Sequence, residues 1–264
     1  MKRANWAAWL IVLLGALFFL LPIYGTLDFS LRAQKGVLSL KAYELVFADA
    51  KFLETFTFSV QRATLTIVFS LLLIVPTAYW VHLKLPQWRP VIEFITLLPF
   101  VIPAVVLVFG LIRTYSRPPL ALTGSPATTD LLLVGGYIVI TLPYMYRAVD
   151  AGLRALDVRA LTEAAQSLGA GWPAILLRVV FPNLRGAVIS GALITFATVI
   201  GELILAVFLA RPAFGPYMAQ LGNFRAYEPA ALAIISYALT WASLALIDVF
   251  ARGSRDASQA AAVR

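Results

Sequence analysis

The sequence predicts an all-α membrane protein with about six transmembrane helices, and three features of its composition point to that class. Hydrophobic residues make up 61% of the 264 residues, whereas soluble proteins contain about 45–50%. Charged residues make up only 13%, and the mean hydropathy is +0.87. A soluble globule of this length cannot bury so much apolar surface in one core. The composition therefore excludes a soluble enzyme and a disordered chain.

The spans follow from the length of the apolar segments, because a bilayer crossing needs about 20 mostly apolar residues. Six segments meet this requirement, at residues 6–27, 58–83, 91–112, 131–147, 187–209 and 230–250. They make the whole chain, 1–264, a single transmembrane domain. The tail at 252–264, rich in Ala, Ser and Arg, is predicted to be disordered.

The first, third and fourth spans have individual features. Lys2 and Arg3 precede the first span, as in a cleaved signal peptide, but its length and the lack of a small-x-small site favour an uncleaved anchor. Pro99 and Pro103 are predicted to bend the third span, because proline lacks the amide donor that a helix needs. The fourth span is short and interrupted by glycine and by Pro143.

The residue inventory excludes several kinds of site. The chain has no cysteine and a single histidine, His82, so no metal or haem site is expected. The net charge of +8 could suggest nucleic acid. The basic residues instead punctuate apolar segments, as topology signals do, and we expect no nucleic-acid partner.

The orientation follows from the arginines. Six spans place both termini on one side of the membrane. Five arginines and no lysine lie between Arg147 and Arg185, and positive charges retain loops in the cytoplasm. We therefore expect the loop at 150–182 and both termini to be cytoplasmic.

This loop is longer than most, and its residues predict consecutive short helices. Asp157 can cap a helix start, and Gly169 can end that helix because it tolerates positive φ. Pro173 suits the first turn of a following helix, and Pro182 marks a further break.

The first of these short helices is predicted to carry one apolar stripe formed by Leu161, Ala165 and Leu168. The face beside Glu163 carries Ala164 and Ala165, whose small side chains let another backbone approach closely. Such a short stripe suits a knob inserted into a groove on a partner. The alternative is a helix lying along the membrane surface.

The spacing of these residues resembles a family signature. The signature loop of binding-protein-dependent ABC transporter permeases has Glu-Ala-Ala, three residues, Gly, nine residues and then Ile-x-Leu-Pro. This chain resembles it with Glu163, Ala164 and Ala165, then Gly169, and then Val179, Phe181 and Pro182. Val179 and Phe181 stand where that pattern has Ile and Leu. The resemblance implies a type I importer permease with the MetI-like fold.

The resemblance also implies the partners. In this family the loop contains a coupling helix that docks into a cytoplasmic ATPase subunit, and here Glu163, Ala164, Ala165, Gly169 and Pro182 would carry that role. The complex would contain two ABC ATPase subunits, a second permease subunit, identical or homologous, and an extracellular or periplasmic binding protein. It would lie in a bacterial inner membrane. The chain has no G-x-x-x-x-G-K-[ST] motif, so we expect no enzymatic activity and no cofactor of its own, with ATP bound by the partners.

The fifth span carries a polar face that could belong to a translocation path. Gly191, Thr195, Thr198 and Glu202 are spaced by four, three and four residues, which places them on one side of a helix. Such a face lines a cavity or a helix contact. Glu202 would be neutralised by protonation, by a basic residue or by a cationic substrate, or it is hydrated at the membrane interface.

The substrate and one rival class stay open. The short chain, single first span and long following loop resemble the spermidine and putrescine permeases, which suggests a polyamine or other small cation. Phosphonate, thiamine, iron and small-anion importers share much of the pattern. The rival is a secondary transporter that works without an ATPase, although few intramembrane acids are available to it.

Overall fold

The structure is a computed structural model that describes residues 6–242 and residue 245. Within these residues every extended regular element is a helix, and the only β-type pairing is an isolated bridge between Gln34 and Val37. The predicted disordered tail at 252–264 and part of the predicted sixth span at 230–250 lie outside the described residues.

The helices follow one another with short connections. In chain order they are α1 (Trp6–Ser30), α2 (Lys41–Ala48), α3 (Ala50–Lys84), α4 (Arg89–Val101), α5 (Ala104–Tyr115), α6 (Pro126–Arg154), α7 (Val158–Ser167), α8 (Trp172–Ala174), α9 (Phe181–Ile200), α10 (Ile204–Phe208) and α11 (Phe214–Phe224). A π-helical turn, Ile175–Val180, joins α8 to α9, so Trp172–Ile200 is one continuous helix. Residues 228–242 are also helical.

Four described helices are long and apolar enough to cross a membrane, and the bent pair formed by α4 and α5 makes five. The four are Trp9–Ser30, Ala50–Lys84, Pro126–Arg154 and Trp172–Ile200. Three of them extend well beyond the predicted segments, because α3 begins at 50, α6 reaches 154 and the helix that ends at Ile200 begins at 172.

The third span, predicted at 91–112 with bends at Pro99 and Pro103, is broken at Pro103 and unbroken at Pro99. A 3-10 turn, Pro86–Trp88, leads directly into α4, and the chain turns by 101° between this combined helix and α5. Ile102 and Pro103 both have extended backbone, with ψ of 117° and 139°. Proline forces the residue before it out of the helical region, so Pro103 ends α4 at Val101. Pro99 lies inside α4 without ending it.

The chain divides into two compact units. The first contains Met1–Glu54 and Tyr217–Leu239. Its helix α1 is apolar all round, and almost all of its side chains are exposed, as expected for a helix that faces lipid. Within this unit, the hydroxyls of Ser30 and Tyr43 are 2.8 Å apart, and the Tyr217 hydroxyl donates to Asp49 at 2.9 Å.

The second unit contains Thr55–Pro216 and Thr240–Arg264, and α6 and α9 form its centre. A methyl group placed on Gly152 of α6 would lie 2.7 Å from the Cβ of Ala187. One placed on Gly191 of α9 would lie 2.8 Å from the sulfur of Met145. These two glycines let the two antiparallel helices approach closely.

Two apolar clusters fill this second unit. The first lies toward the end that carries α7 and includes Tyr79, Met145, Val149 and Leu184. The second lies toward the start of α6 and includes Leu133, Tyr137, Val199 and Leu205.

Candidate functional site

The α7 loop, which we define as residues 155–171 between α6 and α8, is held at both ends by backbone capping. The Asp157 carboxylate accepts a hydrogen bond from the Ala160 amide at 3.0 Å, as predicted. Gly169 has φ +80°, also as predicted. The amides of Gly169 and Ala170 donate to the carbonyls of Gln166 and Ala165 at 2.8 and 3.0 Å. This pattern is a Schellman motif, which satisfies the last carbonyls of α7.

One face of α7 packs against its own bundle through Val158, Thr162 and Ala165. The Thr162 hydroxyl donates to the Val158 carbonyl at 2.6 Å and lies 2.8 Å from the Tyr79 hydroxyl of α3. The predicted partner-facing stripe of Leu161, Ala165 and Leu168 is therefore divided, because Ala165 faces the bundle whereas Leu168 is exposed. The burial of Thr162 was not predicted, because a polar side chain is expected to be exposed.

The opposite face of α7 is exposed. It carries Arg159, Glu163 and Ala164, and Leu168 follows at the C-terminus with 89% of its surface exposed. Arg159 and Glu163 are 3.7 Å apart with both side chains largely exposed, so this pair adds little stability. Leu168 is therefore a large apolar side chain left exposed at the end of a capped helix.

The prediction of a break at Pro182 is wrong, because the helix runs through this position. The π-helical turn Ile175–Val180 ends two residues before Pro182, and Phe181 donates to the Leu176 carbonyl five residues back. Proline removes an amide donor and crowds the preceding turn, and a locally wider turn accommodates both effects. Pro182 itself is exposed, and it lies outside the α7 loop.

A buried carboxylate that the sequence analysis did not single out ties three helices together at this end of the bundle. The side chain of Asp150 on α6 is only 5% exposed. It lies 2.8 Å from His82 Nε2 of α3 and 3.2 Å from Arg89 of α4, and it also pairs with Arg154. The spacing of Asp150 and Arg154 by four residues was the available signal.

A second, partly buried carboxylate lies at the opposite end of α6. Asp130 pairs with Arg62 of α3 and, at 2.5 Å, with Arg211 from the segment after α10. The guanidinium carbon of Arg62 lies 3.9 Å from the centre of the Phe58 ring. Both ends of the α3–α6 pair are therefore fixed by ionic contacts.

The polar face predicted on the fifth span lies mostly in a helix contact within this chain. Gly191 is buried against Met145 and Ala148 of α6, and Thr195 is fully buried. Thr198 is half-buried and donates to the Ile194 carbonyl at 2.8 Å. Of the two alternatives, Gly191 and Thr195 fit the helix contact rather than a cavity lining.

Glu202 caps a helix. The chain leaves the helical path after Ile200, and the Glu202 carboxylate accepts hydrogen bonds from the amides of Leu205 and Ala206 at 2.9 and 3.2 Å. It is 9% exposed. Backbone amides at the start of α10 therefore stabilise this carboxylate. The sequence analysis considered protonation, a basic residue and a cationic substrate, but not backbone amides.

The family of this chain follows from its similarity to known proteins. Residues 74–255 match the sequence model of a family described as "Binding-protein-dependent transport system inner membrane component". The chain belongs to this family. The resemblance inferred from Glu163 to Pro182 is thereby confirmed, and the chain is a multi-pass membrane protein.

Relatives named for different cargoes match at similar identity. A putative ferric transport system permease protein of Haemophilus influenzae is 30% identical over 72% of this chain, but the match spans only 30% of that relative's length. A probable molybdenum ABC transporter permease protein of Haloferax volcanii is 31% identical over 78% of this chain and 75% of its own length. A spermidine/putrescine permease protein, PotB, of Haemophilus influenzae is 24% identical over 57% of this chain and 56% of its own length.

Solved structures confirm the fold. A bacterial ABC transporter that imports the acidic polysaccharide alginate has a chain that matches with a TM-score of 0.67, covering 95% of this chain and 94% of that one at 16% identity. The MetNI methionine transporter matches with a TM-score of 0.56 over 75% of this chain and 95% of that one at 15% identity. The predicted all-α, MetI-like permease fold is therefore confirmed.

Proposed function

We propose that this chain is the permease subunit of an ATP-driven, binding-protein-dependent importer, and that α7 is its coupling helix. The observation that carries the proposal is the division of α7 into two faces. One face is fixed to the bundle by Val158, Thr162 and Ala165, and the other is exposed and ends in Leu168. A helix with one face packed on the bundle and the opposite face exposed can transmit a rigid-body displacement from a partner to the bundle.

The proposal assigns the chemistry to other subunits. Two ATPase subunits would bind and hydrolyse ATP, a second permease subunit would complete the path, and an external binding protein would deliver substrate. Both termini and the α7 loop would face the cytoplasm. Structures similar in fold include an alginate transporter in complex with a periplasmic protein bound to an alginate pentasaccharide, which supports these kinds of partner.

The substrate is proposed only as a class. The relatives named for iron, molybdenum and polyamines differ little in identity to this chain. Glu202 was the residue that motivated a cationic substrate, and its carboxylate is occupied by backbone amides. We keep a small ion, either a polyamine or a metal-containing species, as the proposed cargo. Uptake assays with spermidine, ferric iron and molybdate separate these three.

The docking proposal is tested by cross-linking, because the chain has no native cysteine. The variant Leu168→Cys places one thiol on the exposed end of α7. Expressed with its ATPase and binding protein, it should form a cross-link to the ATPase through a short bifunctional thiol–amine reagent. The control Leu120→Cys places a thiol on an exposed leucine that precedes α6, at the other end of that helix, and it should not cross-link to the ATPase.

Two outcomes would contradict this proposal. Equal cross-linking of the two cysteine variants would show that α7 is not the docking element. Transport by the purified chain without any ATPase would favour the rival class of secondary transporter.

A further inference from the structure

We propose that Tyr79 is a positioning residue that fixes α7 to the end of α3, so that a displacement of α7 moves α3 with it. The inference rests on the proposed function, because it assumes that α7 receives the displacement. It adds a specific route through which that displacement enters the bundle.

The direction of the contact follows from proton counting. A threonine hydroxyl has one proton, and Thr162 uses it to donate to the Val158 carbonyl at 2.6 Å. The Tyr79 hydroxyl, 2.8 Å from Thr162 Oγ1, must therefore be the donor in that contact. Tyr79 is thus linked to the backbone of α7 by two consecutive hydrogen bonds. Tyr79 donates to the Thr162 hydroxyl, which donates to the Val158 carbonyl.

Burial makes this contact selective. Tyr79 is fully buried and Thr162 almost so, so water does not compete for either hydroxyl. If Tyr79 moved away, its hydroxyl would lose its partner in a low-dielectric environment, which is more costly than losing an exposed hydrogen bond. A relative movement of α7 and α3 is therefore resisted at this point.

The remaining contacts of α7 lack this directionality. Val158 and Ala165 belong to the apolar cluster that also contains Tyr79, and apolar contacts permit sliding because they are not directional. Among the described residues, the Tyr79–Thr162 contact is the only side-chain hydrogen bond that joins α7 to another helix.

The end of α3 is suited to respond to such a movement. Pro76 lies inside α3, three residues before Tyr79, and its missing amide leaves one helical hydrogen bond unmade. The helix is therefore weakened just before the turn that carries Tyr79. Beyond Tyr79, His82 contacts Asp150 on α6, so a movement of this last segment of α3 reaches α6 as well.

The experiment removes single hydroxyls in the assembled transporter, reconstituted with its ATPase and binding protein in liposomes. Tyr79→Phe and Thr162→Val each delete one partner, and Thr162→Ser retains the hydroxyl. The matched control is Tyr43→Phe, which deletes a tyrosine hydroxyl that lies 2.8 Å from the Ser30 hydroxyl within the first compact unit. The readouts are the spermidine, ferric iron or molybdate transported per ATP hydrolysed and the amount of ATPase that co-purifies.

We expect Tyr79→Phe and Thr162→Val each to lower transport per ATP about fivefold, the factor that one typical buried hydrogen bond represents. The double variant should be no worse than either single variant, since both delete the same contact. Thr162→Ser and Tyr43→Phe should transport as the unmodified protein does. In every variant the amount of co-purified ATPase should stay unchanged.

The proposal is overturned if Tyr79→Phe and Thr162→Val keep the unmodified transport per ATP, or if they lose the ATPase, since the hydroxyl would then serve folding of α7. Failure of the proposed function looks different, because the unmodified chain itself would then not co-purify with an ATPase.

Discussion

Gly169 is the residue whose backbone most directly shapes the α7 loop. A methyl group placed on it would meet no atom within 4 Å, so space does not restrict this position. Its φ of +80° does, because residues with a Cβ rarely adopt that region and β-branched residues almost never do. The Schellman motif, and with it the turn from α7 into α8, depends on this one conformation.

We therefore predict that Gly169→Val destabilises the loop by about 1–2 kcal/mol and abolishes efficient transport while membrane insertion stays intact. Gly169→Asn should retain most activity, because asparagine tolerates the left-handed region. Uptake assays on membranes with matched amounts of permease measure both variants. Equal activity of the Val and Asn variants would contradict the backbone explanation.

Gly152 and Gly135 both lie on α6 but differ in their surroundings. A methyl group on Gly152 would lie within 3 Å of Ala187 and Leu184, whereas one on Gly135 would meet nothing within 4 Å. We predict that Gly152→Ala destabilises the protein by about 1–3 kcal/mol through overpacking. Gly135→Ala should be neutral or stabilising, because alanine favours the helix. Thermal unfolding in detergent compares the two, and a similar melting temperature for both would refute the proposed close contact of α6 with α9.

At this scale, the sequence predicted the residues that act through local geometry. The Asp157 cap and the positive φ of Gly169 follow from neighbouring backbone groups alone. The burial of Thr162 and Asp150 depends on Tyr79, His82 and Arg89 from distant segments. A single sequence does not show which distant residues contact one another. Without that information, polar side chains such as Thr162 and Asp150 are expected to be exposed.

At the scale of helices, α10 depends on a single side chain. The Glu202 carboxylate accepts from two amides in the first turn of this five-residue helix, which is too short to be stable alone. The path around it is tight, because a methyl group on Gly215 would overlap the Glu202 carbonyl.

We predict that Glu202→Ala lowers stability by about 1 kcal/mol, the usual cost of a lost N-terminal cap. Glu202→Gln should lose less, because its amide oxygen still accepts one hydrogen bond. Thermal unfolding measures stability, and uptake of spermidine, ferric iron and molybdate measures specificity. If Glu202→Gln kept full stability but selectively lost uptake of a cation, a role in substrate binding would outweigh the capping role.

The bounds of the helices were harder to predict than their existence. The turn of 101° at Ile102–Pro103 and the uninterrupted passage through Pro182 both involve proline, yet the results are opposite. Pro103 follows a residue that takes up extended backbone, whereas Pro182 follows a π-helical turn that absorbs the missing hydrogen bond. Packing against neighbouring helices selects between these outcomes, and the local sequence does not show it.

At the scale of the whole molecule, two Asp–Arg pairs with the same four-residue spacing offer a direct comparison. The buried Asp150 pairs with the exposed Arg154 and also joins α3, α4 and α6, whereas Asp28 pairs with Arg32 with neither side chain buried. Burial decides what such a pair contributes, because removing one buried partner leaves the others without compensation.

We predict that Asp150→Ala lowers stability by about 3 kcal/mol, because His82 and Arg89 lose their common partner. Asp28→Ala should leave the unfolding temperature unchanged, since exposed pairs are screened by water and salt. Thermal unfolding at low and at high salt tests both variants. A loss of stability in Asp28→Ala as large as that in Asp150→Ala would contradict this assignment.

The contacts of Asp130 and Asp150 also set a distance along α3 and α6. Arg62 and Asp130, like His82 and Asp150, are separated by 68 positions in the chain, so α3 and α6 run parallel in constant register. Each helix advances by 20 positions from one contact to the other, a length of about 30 Å at 1.5 Å per residue. That equals the usual thickness of the hydrocarbon layer. Because ionic contacts join α3 and α6 at both ends, neither helix can shift along the other to match a thicker bilayer. Hydrophobic mismatch must then be accommodated by tilting both helices together or by deforming the surrounding lipid.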